Sequence, residues 1–398
     1  MSYNLLQFPT GNLEGRTDTL ANICDYYRPH ILLIQELKNA QGLSDVTAMM
    51  NQLGYGSFDY GTFVPQQSNG GGGSNSLQQG IVYDSNVFEL KSENVVVTTY
   101  RDVNEFVLYV DDPELENGLD TTYLYVYVTH LKSSQGADNQ TLRLEMVNDW
   151  LAYMEENIPA GSHVILAGDF NLYTNQEPAY IALTNEDNLF PLTDVFASFG
   201  DWSGSAFAHK EILTQSTRLN QIYNDGAGGG MDDRFDFILL SSSLFGDDEM
   251  IQYSTGSYKS LGNTGNCYNM SITDCADGNE VPFDVLQSMY YMSDHLPQVC
   301  SLTYSNALNT HQAVIQQSDA RIMYFSHDQN ALELWTGTLS GLCDISIFNA
   351  SGHLISKSQQ TLQASSGTVI PFEAQGSGMY IIEISNGNQV FRDRFVVY

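Results

Sequence analysis

The sequence predicts an α+β protein in which two β-sheets pack on each other with helices outside, followed by a small antiparallel β-sandwich. Three observations carry this expectation. Up to about Tyr304, strand-like apolar runs outnumber amphipathic helical stretches. Beyond a polar stretch, short strands recur at a spacing of about 8–12 residues with turns between them. At 398 residues the chain exceeds one ordinary core, so two domains are expected.

The elements follow in order. Arg16–Tyr27 carries Leu20, Ile23 and Cys24 at helical spacing and leads into a strand at Ile31–Ile34. Strand composition marks Gly80–Tyr83, Val95–Tyr100, Phe106–Val110 and Leu124–Thr129. A second helix, Leu142–Met154, places Leu144, Val147, Leu151 and Met154 on one face and precedes the run Val164–Ala167. Phe235–Leu240 and Val299–Tyr304 complete this unit, residues 1–304. The glycine-rich Gln66–Ser76 and the segment Asp225–Gly230 read as surface loops, since neither ends in the Gly-Lys-Ser/Thr of a phosphate-binding loop. Residues 305–320 read as a linker, and residues 321–398 as the sandwich. Its strands are expected at Leu332–Trp335, Cys343–Phe348, His353–Ser358, Thr368–Phe372, Gly378–Ser385 and Val390–Val397, with turns at Asn349–Gly352 and Ser385–Asn388. That unit holds no cluster of titratable residues, so no chemistry is expected there.

The net charge is −32, and residues 1–304 carry nearly all of it, with 11 Lys/Arg against 40 Asp/Glu. Such a domain is a poor electrostatic trap for a polyanion, which counts against tight nucleic-acid binding. It does not exclude a hydrolase working with divalent cations or in high salt, where repulsion is screened. No stretch of about 18 apolar residues exists to span a membrane. Met1-Ser2-Tyr3-Asn4 opens almost directly on a strand, so the expectation is a cytosolic protein or one whose leader peptide is absent from this chain. Of five cysteines, Cys267 and Cys275 flank a polar loop that a disulfide would staple, pointing to an oxidising compartment. Cys24 and Cys300 sit among apolar residues as buried thiols.

Oxygen-rich side chains stand beside several of the apolar runs. Ile31–Ile34 leads into Gln35-Glu36, Leu124–Thr129 into His130-Leu131-Lys132-Ser133, and Val164–Ala167 into Gly168-Asp169-Phe170-Asn171. Ser293-Asp294-His295-Leu296-Pro297 precedes Val299–Tyr304. Hydrophobicity explains burial of the runs but not Asp-His or Asp-x-Asn at their edges. Hard divalent cations need oxygen ligands, and phosphodiester hydrolysis needs an imidazole within reach of them. Asp169 and Asn171, one residue apart, would project the same way from an extended chain. A lone histidine at a strand end is usually a satisfied polar residue; His130 and His295 each stand inside such a motif.

Taken in order with Tyr3-Asn4 and Arg234-Phe235-Asp236-Phe237-Ile238-Leu239, these motifs resemble the endonuclease/exonuclease/phosphatase superfamily, the group containing pancreatic-type deoxyribonuclease. The resemblance runs over about residues 2–304 and implies a four-layer α/β/β/α sandwich of the deoxyribonuclease type. It implies Glu36 as the principal metal ligand, with Asn4 completing the metal's surroundings through its amide oxygen and Asp294 binding metal or water. Asp169 orients the attacking water, Asn171 holds a phosphate or metal oxygen, and His130 and His295 are the catalytic imidazoles, with Asp236 supporting His295. In deoxyribonuclease a glutamate supports the other histidine. Leu77-Gln78-Gln79-Gly80-Ile81 holds none, so His130 would be oriented by Gln78, Gln79 or a backbone carbonyl, and phosphate contact is its expected role. Leu172-Tyr173 lacks the arginine that inositol phosphatases carry after Gly-Asp-x-Asn, and the chain looks most like secreted bacterial nucleases. Arg218, in Leu213–Arg218, offers a guanidinium to a phosphate, with a salt bridge to one of many acids as the equal alternative.

The second unit resembles the sorting domains of type IX secretion, through Ile345–Gly352, Gly378–Ile384 and Arg394–Tyr398. Phe325-Ser326-His327-Asp328 stands where that domain usually has Asn-Pro. The resulting expectation is a monomeric, secreted or cell-surface phosphodiesterase, foremost a nuclease, using Mg²⁺ or Mn²⁺, with Ca²⁺ also compatible. Its partners are nucleic acid as substrate and the type IX secretion machinery. A sphingomyelinase-like phospholipase C and an inactive binding protein on the same fold are the alternatives, the last disfavoured because every motif position is filled.

Overall fold

Alternating side chains along the first strands decide the layering. In β1 (Ser2–Phe8), Tyr3 and Leu5 join the core beneath the helices, and in β2 (Ile31–Leu37) Leu32 and Ile34 do the same. Leu33 of β2 points the other way, into an inner apolar layer shared with a second sheet. The computed structural model describes residues 1–398 except 11–12, 71–76, 118–119, 197–199, 204–206, 247–248, 277, 306–315, 318–319, 327–329, 350–352, 375, 387–388 and 398. Part of the glycine-rich segment, most of the expected linker, parts of the two expected turns, His327-Asp328 and Tyr398 thus lie outside the described residues.

The remaining strands of the first unit are β3 (Phe58–Tyr60), β4 (Gln78–Asp84), β5 (Phe88–Val96), β6 (Val103–Val110), β7 (Tyr123–His130), β8 (His163–Asp169), β9 (Leu192–Thr193), β10 (Asp236–Ser241), β11 (Ile251–Tyr253), β12 (Lys259–Ser260), β13 (Gln298–Val299) and β14 (Leu302–Tyr304). They build two six-stranded sheets, ordered β12-β13-β1-β2-β4-β3 and β5-β6-β7-β8-β10-β9, with β11 and β14 paired apart. The inner layer holds Leu33 and Ile81 from one sheet and Phe106, Val126, Val128, Ile165, Ala167 and Ile238 from the other. Helices α1 (Arg16–Tyr27), α2 (Ala40–Leu53) and α5 (Phe283–Met292) pack together, with α2 on β2 and β4. On the other sheet, α3 (Ala137–Asn157) sets Trp150 edge-on against Tyr127 of β7 at 5.4 Å, and α4 (Pro178–Leu183) packs on α3. This is the expected four-layer α/β/β/α sandwich.

Two local expectations are corrected. Val95–Tyr100 is not one strand: β5 ends at Val96, and Thr99 is held outside the ladder by Asp149, whose carboxylate accepts from its N–H and its hydroxyl. The expected Val299–Tyr304 strand is split between β13 and β14, which belong to different sheets.

The chain divides into two compact units, Met1–Asn306 and Ala307–Tyr398. The second has a five-stranded and a three-stranded sheet. Its core holds Leu332, Ile345, Ile347, Ile370, Ile382, Ile384 and Phe395, and Phe372 and Tyr380 meet edge-on at 5.1 Å. Within the expected linker, Gln316–Gln317 forms a strand paired in parallel with Gln389 and Val390, the one parallel pairing among the described residues of this unit. Cys267 and Cys275 form the expected disulfide, with Cα atoms 5.4 Å apart. Cys24 and Cys343 are buried free thiols, and Cys300 is half-buried.

Candidate active site

The same two-residue period that fills the inner layer places the chemistry at its end. Val126 and Val128 of β7 face the other sheet, and His130 continues that row. Ile165 and Ala167 of β8 lead to Asp169, while Ile238 and Leu240 of β10 share a face with Asp236. From the opposite sheet, Asn4 of β1 faces the same layer. Strand register then aligns His130 with Asp169 and Asp169 with Asp236. All four side chains are buried.

Gly168 is dictated by the ladder. Its φ is +148°, and a Cβ there would lie 1.9 Å from the carbonyl oxygen of Thr129 on β7. Glu36 owes its position to irregularity. The β1–β2 register shifts between Asn4 and Phe8, and the β2–β4 register between Ile34 and Leu37, while Leu6, Gln7 and Glu36 adopt φ of 45°, 54° and 63°. Arg16 secures the displaced strand, donating to the carbonyls of Leu5, Leu6 and Met292.

His295 is the most firmly placed imidazole. Its Nδ1 lies 2.7 Å from Asp236 Oδ2, and its Nε2 lies 3.8 Å from Asp169 Oδ2. The hydroxyl of Ser293 ties the motif down by accepting from the His295 N–H and donating to the carbonyl of Asn4. Burial opposes a charge on His295, but Asp236, Asp294 and Asp169 together outweigh it and hold its pKa well above the ordinary histidine value. His130 is the reverse: burial, then Arg101, His295 and Lys132, hold its pKa well below the ordinary value. Asp169 is pushed up to about 7, first by burial and then by Asp236 and Glu36, against the pull of His295. Burial, then Asp294, also raises Glu36.

The structure gathers Glu36, His130 and Asp169 into one potential ligand set, each offering an atom within 4.8 Å of the others. Asn4 stands beside them in the opposite sense to the one expected. Its amide oxygen accepts from the N–H of Leu6 at 2.9 Å, so its nitrogen faces Glu36 Oε1 and Asp169 Oδ2, each at 3.1 Å. Asn4 therefore braces the two carboxylates rather than presenting its oxygen to a cation. Asp294 lies outside the set. Its Oδ2 accepts from Gln215 Nε2 at 3.0 Å and the Ala227 N–H at 2.7 Å, and so anchors the Asp225–Gly230 loop.

Asn171 does not project in parallel with Asp169. The chain turns at φ 50°, the Asn171 N–H returns to Asp169 Oδ1 at 3.1 Å, and its amide donates to the carbonyl of Leu131 at 3.3 Å. Neither Gln78 nor Gln79 orients His130. Both donate to Asp102, one to its carboxylate and the other to its carbonyl, and His130 Nδ1 has no partner among the described residues.

Arg218 corrects the expectation of a phosphate ligand. It is buried, and its guanidinium donates to the carbonyls of Tyr290, Asp225 and Tyr291, clamping the end of α5. What the segment Leu213–Arg218 does bring to the site is Gln215, whose Nε2 lies 2.7 Å from His295 Nε2. No motif marked it. Arg101 was missed as well: half-buried, it donates to the carbonyls of His130 and Leu131 and feels the charges of Glu36 and Asp169. Behind these groups the buried Arg143–Glu177 pair, at 2.8 Å, joins α3 to the loop after β8, while Arg143 also donates to the carbonyls of Lys132 and Ser134.

Among solved structures, the human Nocturnin catalytic domain with bound sulfate anion is similar at 17% identity, covering 76% of this chain and 93% of that one, with a TM-score of 0.49. D. rerio TDP2 complexed with single strand DNA product is similar at 17%, covering 76% and 97%, with a TM-score of 0.46. The Bacteroides thetaiotaomicron mannosyl-6-phosphatase is similar at 15%, covering 76% and 98%, with a TM-score of 0.44. No curated protein matches the chain. Residues 329–398 match the Secretion system C-terminal sorting domain, which implies secretion or display at the cell surface by the type IX route. Among the described residues no helix is long and apolar enough to cross a membrane. Residues 1–295, which hold every group of the site described above, match the Endonuclease/Exonuclease/phosphatase family, and the chain belongs to that family of hydrolases.

Proposed function

We propose that residues 1–304 form a divalent-metal-dependent phosphodiesterase that hydrolyses nucleic acid outside the cell or at its surface. One observation carries the reading: His295 is held by Asp236 at 2.7 Å and stands 3.8 Å from Asp169, beside the Glu36–His130–Asp169 set. Two carboxylates and a neutral imidazole, each with an atom within 4.8 Å of the others, suit a divalent cation, and the raised proton affinity of Glu36 and Asp169 is what uncompensated ligands show. Glu36, with Asp169 and His130 beside it, would hold Mg²⁺, Mn²⁺ or Ca²⁺. When bound, such a cation polarises the phosphate and neutralises charge developing on it.

The chain's own groups divide the rest of the work. Asp169, fixed by Asn4 and by the Asn171 N–H, orients the attacking water in line with the leaving oxygen. Asp236 keeps the His295 ring turned so that Nε2 meets a non-bridging phosphate oxygen and donates a proton to it. His295 Nε2 stands at the developing charge; a preorganised donor of this kind accounts for roughly a hundredfold to a thousandfold in turnover.

A second reading, a sphingomyelinase-like phospholipase C, is favoured by the fate of the cations. Arg16, Arg143, Arg218 and Arg234 are all buried in contacts with carbonyls or carboxylates, leaving few to track a polyanion. Plasmid DNA, RNA, sphingomyelin and a bis-nitrophenyl phosphate compared side by side decide between the two. Cleavage of DNA or RNA is expected; cleavage of sphingomyelin alone would replace the first reading with the second.

A further inference from the structure

A disulfide closes the segment on which the His295 motif rests. Cys267 and Cys275 lie 8 positions apart, and the chain between them carries no strand or helix, nor do residues 214–231 beside it. Hydrogen bonds join the two segments. The N–H groups of Asn269 and Ile272 donate to the carbonyls of Met231 and Thr217, the Met231 N–H to the carbonyl of Met270, and the Leu219 N–H to the hydroxyl of Ser271. Thr217 carries the contact on to the site. Its carbonyl accepts from the Ile272 N–H at 3.1 Å, its N–H donates to the Asp294 carbonyl at 3.0 Å, and its hydroxyl donates to the Ser293 carbonyl at 2.6 Å. The Ala227 N–H adds a donor to Asp294 Oδ2 at 2.7 Å. Ser293 and Asp294 lead directly into His295, so the placement of the ring depends on a loop that the disulfide braces.

We propose that the Cys267–Cys275 disulfide is a redox gate on the active site. Closed, it restricts the 267–275 segment and keeps Thr217 and Ala227 on the Ser293–His295 motif. Open, that segment loosens locally, while the two six-stranded sheets keep their own ladders. The chemistry is thiol–disulfide exchange with a dithiol reductant. A reductant thiolate attacks Sγ of Cys275, the half-buried sulfur, and the buried Cys267 leaves as a thiolate that takes up a proton. The second reductant thiol then closes the reductant's own disulfide and releases Cys275, so two electrons and two protons pass to the protein. The cytosol keeps cysteines reduced, and the sorting domain sends this chain outside. The enzyme is therefore slow among the cell's own nucleic acids and reaches full turnover once exported. The inference rests on the phosphodiesterase reading, because it regulates that site.

The test compares the full chain oxidised, and reduced with dithiothreitol that is then removed, by kcat and KM on a bis-nitrophenyl phosphate in Mg²⁺ buffer. Among the described residues no other disulfide is present to react. Reduction is expected to lower kcat by about tenfold to a hundredfold, as a displaced catalytic group does, and reoxidation to restore it, with far-UV circular dichroism unchanged. The Cys267→Ser/Cys275→Ser variant is expected to turn over at the reduced rate and to ignore the reductant. Hydrogen exchange on the native chain, which needs no variant, is expected to quicken on reduction at Thr217, Ala227 and Ile272 and to stay slow along β7 and β8. Native kcat in the reduced chain would overturn the gate. Loss of activity together with the sheet signal would overturn it too, by making the disulfide a staple of the whole unit. An oxidised chain that hydrolyses no phosphodiester would overturn the phosphodiesterase reading and the gate with it, whereas the other adverse outcomes leave that reading standing.

Discussion

Asp236 and Asp169 are Cα partners across β10 and β8, and this single register puts the carboxylate that grips His295 Nδ1 beside the one that faces its Nε2. The imidazole is thus held on one side and met on the other by neighbouring strands of one sheet.

His295→Ala and Asp169→Ala are each expected to lower kcat by at least about a hundredfold while the fold survives. Asp236→Asn is expected to cost less than His295→Ala, because it misorients the ring without deleting it. Steady-state kinetics with circular dichroism as a fold control checks both. If both His130 and His295 could be replaced with little loss, the chain would be a binding protein.

Cation binding is expected to release protons near neutral pH. Glu36 and Asp169 hold protons more tightly than free carboxylates, Asp169 up to about 7, and must lose them to act as ligands. The sign follows: Mg²⁺ affinity rises as pH increases through that range and falls as the carboxylates are protonated. Calorimetry in two buffers of different ionisation heat measures the released protons; no release would contradict the ligand assignment. Glu36→Gln is expected to weaken Mg²⁺ binding, with partial rescue of hydrolysis at high Mg²⁺.

Arg218→Ala is expected to lower stability by about 2–4 kcal/mol, since three carbonyls lose a charged donor. KM measured well below the melting range should stay near the native value. A large rise in KM without loss of stability would restore Arg218 as a phosphate ligand. Gly168→Ala should be worse for the fold, by about 3 kcal/mol or more in a denaturant titration, because its Cβ meets the Thr129 carbonyl at 1.9 Å.

Deletion of residues 307–398 is expected to leave hydrolysis intact in vitro and to abolish export. The site lies wholly within Met1–Asn306, and the removed unit has its own core. A soluble, folded truncation that loses substrate affinity would instead make the sandwich a substrate-binding module.

The sheets were legible because period-two burial is written locally, as in Leu124 to His130. The site was legible where a side chain follows such a run, as Asp169, His130 and Asp236 do. It was not where orientation depends on distant partners. Asn4 turns its nitrogen inward because Leu6, on a displaced strand, claims its oxygen. Arg218 is spent on the end of α5, and nothing in Leu213–Arg218 says that this helix lies behind it. The helix α2 was missed although Leu43, Val46 and Met50 are buried on one face; it carries Gly42, which packs where a Cβ would lie 2.8 Å from Pro9. The absence of a glutamate in Leu77–Ile81 could be read directly, and the structure accordingly leaves His130 Nδ1 without a partner among the described residues.

The most direct measurement is hydrolysis of a bis-nitrophenyl phosphate by the full chain, before and after chelation, with divalent cations then restored one at a time. Complete loss is expected in excess EDTA and recovery with Mg²⁺ or Mn²⁺, because Glu36 and Asp169 offer hard carboxylate oxygens and the set holds no thiolate. Full activity in excess EDTA would contradict the metal dependence.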